Sequence, residues 1–299
     1  MAIPTNLVRW LMPAGIFAAM RKAKSRVDCW TKRTRTDRVL LRQTADLRLR
    51  HAGKRCFIMG SGPSISLQDL SKLRGEFVLS VSNTFVHPEF GSIKPRYHLV
   101  PPIAASHGHL YPQIRFVEWF REMETATGDA EMFFHIGDRF WIEQEGLFAA
   151  RKVHWVDYHG WAGESFDAVD LAALPGIWSV SELALSAAVY MGFERIYLLG
   201  MDHDWFNGPL VYFYNPETEH KVQPSKEAIP FADAEFQMRR HADIFRKYKV
   251  LQSIHRNIFN ANADPTHYLD VFPKVEYDSL FEPRVGTETI SQGKSGESR

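Results

Sequence analysis

The residues Gly60, Ser61, Gly62, Pro63 and Ser64 follow directly on the apolar run Cys56-Phe57-Ile58-Met59, and small residues at such a point suit the handling of an oxyanion. Glycines let backbone N–H groups approach a phosphate, Pro63 opens a helix without wasting a donor, and Ser61 or Ser64 can bond phosphate or cap that helix. A tight structural turn is the alternative reading. The run lacks the lysine of a nucleoside-triphosphate loop and the third glycine of the dinucleotide fingerprint, which argues against ATPase and dehydrogenase chemistry. Asn83 ends the next apolar run, Phe77-Val78-Leu79-Ser80-Val81, where its amide can read a ribose, base or phosphate or simply make a turn. Asp202-His203-Asp204 follows Arg195-Ile196-Tyr197-Leu198-Leu199-Gly200. The two carboxylates there can hold Mg²⁺ or Mn²⁺ against a diphosphate, or Asp202 can order its own loop. Transfer to a hydroxyl needs a general base near neutral pKa, which histidine supplies with little tuning. His220 is the first candidate because its segment follows Asp202, and His159 is the second. Tyr212 and Tyr214 can donate to a departing phosphate or close over a ligand. Ser179 and Ser181 stand where a later helix starts, placed to cap it or to meet a nucleotide.

These groups need strands to carry them and helices to space the strands. The pattern predicts strands at 55–59, 77–81, 96–101, 131–135, 152–157 and 195–199, with a helix after Pro63 carrying Leu67, Leu70 and Leu73. Helices are expected over 118–124, over 179–191 with Gly192 as the stop, and over 234–249, the last followed by a strand at 250–254. Residues 207–230 hold Pro, Gly and aromatics without a sustained period, which reads as a lid beside the Asp202 strand. Alternating strands and helices imply an α/β fold, Rossmann-like, with a mostly parallel sheet flanked by helices; ligands of such sheets collect beyond the carboxyl ends of the strands.

The formal charge of +1 conceals a division along the chain. Residues 1–55 carry 14 Lys/Arg against 3 Asp/Glu, a net +11, while the rest carries −10. Basic charge confined to one arm is a poor pattern for nucleic-acid binding, which needs it across the folded surface. Residues 1–54 are read as a basic amphipathic arm, 55–284 as the nucleotide-binding catalytic domain and 285–299 as a flexible tail. Within the arm, Leu7-Val8-Arg9-Trp10-Leu11-Met12-Pro13 begins an apolar run through Met20, followed by Arg21-Lys22-Ala23-Lys24-Ser25-Arg26. The run is too short to span hydrocarbon, and its charge follows rather than precedes it, unlike a secretory signal. It can lie on an anionic membrane surface, pack on the body, or pack on a second subunit as a homo-oligomer contact. The expected location is the cytoplasm, with the arm at the inner face of the membrane. Two cysteines, Cys29 and Cys56, without ligand spacing give no zinc or disulfide pattern.

The combination Gly60-Ser61-Gly62-Pro63-Ser64, then Val81-Ser82-Asn83-Thr84-Phe85, then the stretch from Ala188 through Asp202 resembles a broad bacterial group. That group includes sialyltransferases of lipooligosaccharide synthesis, flagellin-modifying motility accessory factors and 6-hydroxymethylpterin diphosphokinase-like proteins. The resemblance spans roughly residues 55–281. It implies nucleotide contacts at Gly60, Ser61, Gly62, Pro63, Ser64 and Asn83, with Ser61 standing where many members have asparagine. It implies a glycosyltransferase that uses a nucleotide-sugar donor, CMP-linked donors included, on a glycan or lipid-linked acceptor of the bacterial surface. The tyrosines and catalytic histidine of the sialyltransferases do not align cleanly, so Tyr212, Tyr214 and His220 are displaced candidates. The diphosphokinase branch implies a nucleoside triphosphate with magnesium on Asp202 and Asp204, and a non-catalytic nucleotide-binding scaffold is the third reading.

Overall fold

The computed structural model describes residues 33–103, 116–159, 169–203, 212–214, 234–263 and 269–282, with isolated positions between 13 and 31. Helix α1 (Arg35–Arg42) begins at a capping box, in which the Thr34 hydroxyl accepts from the Asp37 amide and Asp37 accepts from the Thr34 amide. In chain order there follow β1 (Arg55–Met59), β2 (Phe77–Val81), the single turn α2 (Phe90–Ile93) and β3 (Tyr97–Leu99). Next come α3 (Phe116–Ala126), β4 (Glu131–His135), α4 (Arg139–Gln144), β5 (Val153–Val156) and the short pair β6 (Tyr158–His159) and β7 (Leu174–Pro175). The chain closes with α5 (Val180–Tyr190), β8 (Arg195–Leu199), α6 (Ala234–Ile254) and β9 (Ile258–Asn260).

Seven strands form one sheet in the order β5-β4-β3-β2-β1-β8-β9, and every neighbouring pair is parallel. This is the expected α/β, Rossmann-like arrangement. The chain leaves β1 towards β2 on one side and returns to β8 on the other, so the reversal of strand order falls between β1 and β8. Helices α5 and α6 cover one face, where Leu183, Ala184, Ala187, Ile244, Tyr248 and Leu251 meet Ile58, Leu79 and Leu198. On the other face Phe57, Met59, Tyr197 and Leu199 pack with Ile65, Leu70 and Leu73, while Trp119, Phe120 and Ile142 cover the β4 side.

Three expectations change. After Pro63 the chain forms two 3-10 turns, Pro63–Leu67 and Leu70–Leu73, in place of a single helix. Gln68 is extended and Asp69 caps a new turn, so an α-helical ladder cannot run through. The strand expected at 250–254 is the last part of α6; Ile244, Tyr248 and Leu251 are buried at helical spacing, and that period outweighs local β propensity. Residues 33–54, expected in an arm outside the body, are built into it. Leu41 and Leu47 are buried, and the Leu49 and His51 amides donate to the Tyr190 and Met191 carbonyls at the end of α5.

Candidate functional site

At the strand-order reversal the loops after β1 and β8 touch through their backbones. The Gly60 amide donates to the Leu199 carbonyl and the Gly62 amide to the Gly200 carbonyl, each at 2.8 Å. Gly200 has φ +60, and a Cβ there would lie 2.8 Å from the Gly60 oxygen. A Cβ on Gly60 would overlap the Gly200 carbonyl, and one on Gly62 would overlap the Asp202 carboxylate. The glycines thus permit two loops to cross at backbone contact. This differs from a phosphate cradle built on their amides, because both amides are already spent on carbonyls. Asp202 completes the crossing: its carboxylate accepts from the Ser64 amide at 3.0 Å and from the Ser64 hydroxyl. Asp202 therefore orders the loop, one of its two expected roles. Ser61 and Pro63 are half-buried at the mouth of this crossing, and the Ser61 carbonyl accepts from the Phe213 amide.

That last bond brings in Tyr212 and Tyr214, whose rings stack with centroids 5.0 Å apart. Beyond β2, Ser82 takes a left-handed φ of +49 and turns Asn83 into the interior. The indole N–H of Trp119 donates to Asn83 Oδ1 at 2.6 Å. An indole can only donate, so the amide orientation is fixed and Nδ2 donates to the Tyr214 oxygen at 2.8 Å. The structure thus brings Ser61, Asn83, Tyr212 and Tyr214 together at the carboxyl ends of β1, β2 and β8. His87, four residues beyond Asn83, sits against the Phe213 ring at 5.1 Å. Its Nδ1 accepts from the Glu89 amide, placing the proton on Nε2, and burial holds its pKa below the ordinary value. A neutral imidazole with an Nε2 donor against Phe213, the residue between the two tyrosines, was missed in the sequence, although its place after Asn83 is a usable signal.

Ser179 and Ser181 belong to a neighbouring buried network. Ser179 caps α5 in a box with Glu182, and Ser181 Oγ bonds Tyr248 Oη at 2.6 Å. Tyr248 in turn meets His203 Nε2 at 2.9 Å. His203 has φ +52, and burial drives its pKa down to about 3, so it is a neutral structural imidazole. Below it Lys247 and Glu182 form an ion pair at 2.8 Å with almost no solvent exposure on either side. Glu182 also accepts the Trp178 and Ser179 amides, while Lys247 donates to the Gly176 carbonyl. Both serines are therefore engaged in positioning α5 and the His203 turn. His220 and Asp204 lie outside the described residues, and of His159 the structure gives only the backbone, paired with Pro175. Among the described residues no three side chains form a metal-binding group.

No protein-family model matches the chain, and no curated protein does. Among solved structures it is similar to the sialyltransferase CstII from Campylobacter jejuni in complex with a substrate analogue, cytidine-5'-monophosphate. The two are 12% identical with a TM-score of 0.42, over 75% of this chain and 85% of that chain. The likeness is a distant one of fold, and the chemistry of the site rests on this chain's own residues.

Proposed function

We propose that the chain is a glycosyltransferase: it binds a nucleotide-activated sugar at the carboxyl ends of β1, β2 and β8 and passes the sugar to a hydroxyl of a glycan or lipid-linked acceptor. The observation that supports this reading is the convergence of Ser61, Asn83, Tyr212 and Tyr214 at the reversal of strand order, where open parallel sheets take their ligands. The Ser61 hydroxyl meets the phosphate, and Asn83 exchanges its bond with Tyr214 for one with the nucleoside. In the reaction the acceptor oxygen forms a bond to the sugar carbon as the bond to the nucleotide phosphate breaks. His220, or His159 in its place, takes the acceptor proton, while the tyrosine hydroxyls and the His87 Nε2–H donate to the departing phosphate. Asp202 accepts one bond from Ser64 on each oxygen, and its remaining lone pairs together with Asp204 are the candidates to hold a divalent ion on a leaving diphosphate.

Calorimetry with nucleoside monophosphates, diphosphates, their sugar conjugates and ATP tests the reading, with and without chelator. We expect a sugar conjugate to bind, Asn83→Ala to weaken it about tenfold, and Tyr214→Phe to bind donor while slowing single-turnover transfer about 10²-fold. Thermal melts check that the buried Asn83 substitution leaves the fold intact. ATP-dependent, magnesium-dependent pyrophosphorylation without sugar transfer would replace this reading with the diphosphokinase. Absence of binding to every nucleotide would replace it with the scaffold.

A further inference from the structure

The segment preceding Arg33 carries an apolar surface that the described body leaves open to solvent. Ile16, Ala19, Met20, Ala23, Val27 and Thr31 are all helical and all exposed; Ile16, Met20 and Val27 are each more than half exposed. At 3.6 residues per turn these six positions fall within one face about 120° wide, apolar throughout save Thr31 at its end. The sequence interleaves Arg21, Lys22, Lys24 and Arg26 with them, against a single Asp28.

The point where this segment joins the body gives the stripe a direction. Arg33 grips Asp157, the residue after β5, with Nε on Oδ2 at 2.8 Å and a terminal nitrogen on Oδ1 at 2.5 Å. Asp157 is buried, and His135 at the end of β4 lies 3.3 Å from the same carboxylate. A second tie runs from Arg139 Nε to Asp37 at 2.9 Å. Beside Arg139, Phe140 is 75% exposed, a large aromatic facing solvent on the same rim. All the strands are parallel, so this rim at the carboxyl ends of β4 and β5 belongs to the same end of the sheet as Ser61, Asn83 and Tyr214.

We propose that the stripe from Ile16 to Val27 docks on an anionic phospholipid surface, with Phe140 as a second apolar contact, and that the Arg33–Asp157 clamp thereby turns the site end of the sheet towards the lipid headgroups. An apolar face in a stretch whose sequence is rich in lysine and arginine matches the boundary between acyl chains and anionic headgroups. Residues 1–32 carry 6 Lys/Arg against 1 Asp/Glu, a net +5, while residues 33–299, which include the body, carry −4, so the attraction resides in the segment before Arg33. Among the described residues no helix is long and apolar enough to cross a membrane. The inference deepens the transferase reading by naming where its acceptor is met, and it rests on that reading for this last step alone. Lipid binding is measured without donor, so the two can fail separately.

The test uses the full chain with vesicles of phosphatidylcholine, with and without phosphatidylglycerol. We expect sedimentation with the anionic vesicles only, weakened by salt, and a loss of about tenfold or more in partitioning for Ile16→Glu/Met20→Glu. An unchanged melting temperature shows that these exposed substitutions spare the fold. For orientation, a fluorophore is placed at Gln144→Cys or Lys54→Cys in a Cys29→Ser background and quenched by nitroxide-headgroup lipid. Gln144 is exposed in α4 near the site end and Lys54 is exposed just before β1 at the opposite end. Stronger quenching at 144 is expected, and Arg33→Ala should retain sedimentation while losing that difference. Equal partitioning of the glutamate variant overturns the docking, and quenching that is equal or stronger at 54 overturns the orientation. Light scattering covers the remaining case: dissociation of a homo-oligomer by the glutamate pair, with no lipid binding in either form, assigns the stripe to a second copy and sinks the proposal.

Discussion

The two ends of the sheet solve the same problem, polar groups at strand termini, by opposite means. At the amino end a single carboxylate, Glu131 at the start of β4, collects Arg50 at 2.9 Å, Arg96 at 3.0 Å, Lys152 at 3.3 Å and His154 at 2.6 Å. Its arginine and lysine partners are substantially exposed, and water can take over for any one of them. At the carboxyl end the groups are buried and mutually committed: Asp202 to Ser64, Asn83 to Trp119 and Tyr214, Lys247 to Glu182, His203 to Tyr248. Left-handed backbone, costing about 1–2 kcal/mol for a residue with a Cβ, occurs at both ends, at Ser82 and His203 here and at Leu49, Lys94 and Phe148 in segments leading into strands, so the contrast rests on the side chains. The amino end is redundant and tolerant, whereas the carboxyl end is built so that each group has one place, as a site requires of its supports.

The sharpest way to break this contrast is to remove one cation from each end. Lys247→Met leaves Glu182 buried without its countercharge and should cost about 3–5 kcal/mol. Arg96→Met strips one of several partners from Glu131 and should cost less than about 1 kcal/mol. Urea unfolding compares them directly. Recovery of much of the loss in Glu182→Gln/Lys247→Met would show that the isolated charge causes the damage. Equal costs for the two single substitutions would erase the distinction between the ends.

Gly60→Ala probes the backbone crossing at the carboxyl end with a smaller effect. Its Cβ meets the Gly200 carbonyl, which is held in turn by the Gly62 amide and cannot swing away as a side chain would. A loss of about 2–3 kcal/mol is expected, whereas Gly53→Ala is limited by its φ of +76 alone, with no atom near the added methyl. A tolerated alanine at 60 would mean that the two loops separate readily.

Much of this architecture is legible in the sequence because local rules and tertiary structure agree. Apolar runs ending in glycine or asparagine mark β1, β2 and β8, and Ser179, Glu182 and Gly192 bound α5 by capping chemistry. The glycine loop and Asn83 are recognisable as residues of special position, but not what they touch. Gly60 is small because Gly200 crosses it, and the two are 140 residues apart; no local pattern encodes that contact. The same holds for Trp119 on Asn83 and for Arg33 on Asp157, which ties residues read as an outside arm into the body. The extra turn of α6 is missed because Val250 and Ile254 look β-prone, while the burial period that decides the matter lies on residues up to ten positions earlier.

Acid titration separates the buried histidines from Glu131 by pH. Burial holds His98, under the turn after β2, and His203, after β8, at pKa values of about 3 against an ordinary 6.5. Both are neutral in the fold and protonated when unfolded between those values, so the unfolded chain binds more protons. Stability is therefore full above pH 6.5 and falls with acid towards pH 3, by about 1.4 kcal/mol per pH unit for each such histidine. For Glu131 burial alone would raise the pKa, but bonds from His154 and Arg50 outweigh it and hold the value at about 2 against 4.5. Its contribution is present above pH 4.5 and disappears only between there and pH 2. The interval from pH 6.5 to 4.5 thus reports on the histidines, with His87 at the carboxyl end and His51 at the amino end shifted in the same direction by burial. Urea midpoints at pH 7, 6, 5 and 4 should show a slope that His98→Asn and His203→Asn each reduce by about one proton. Glu131→Gln should leave that slope unchanged and flatten only the more acidic limb. A slope that survives both histidine substitutions would place the acid sensitivity on other groups and overturn the claim that burial keeps His98 and His203 neutral.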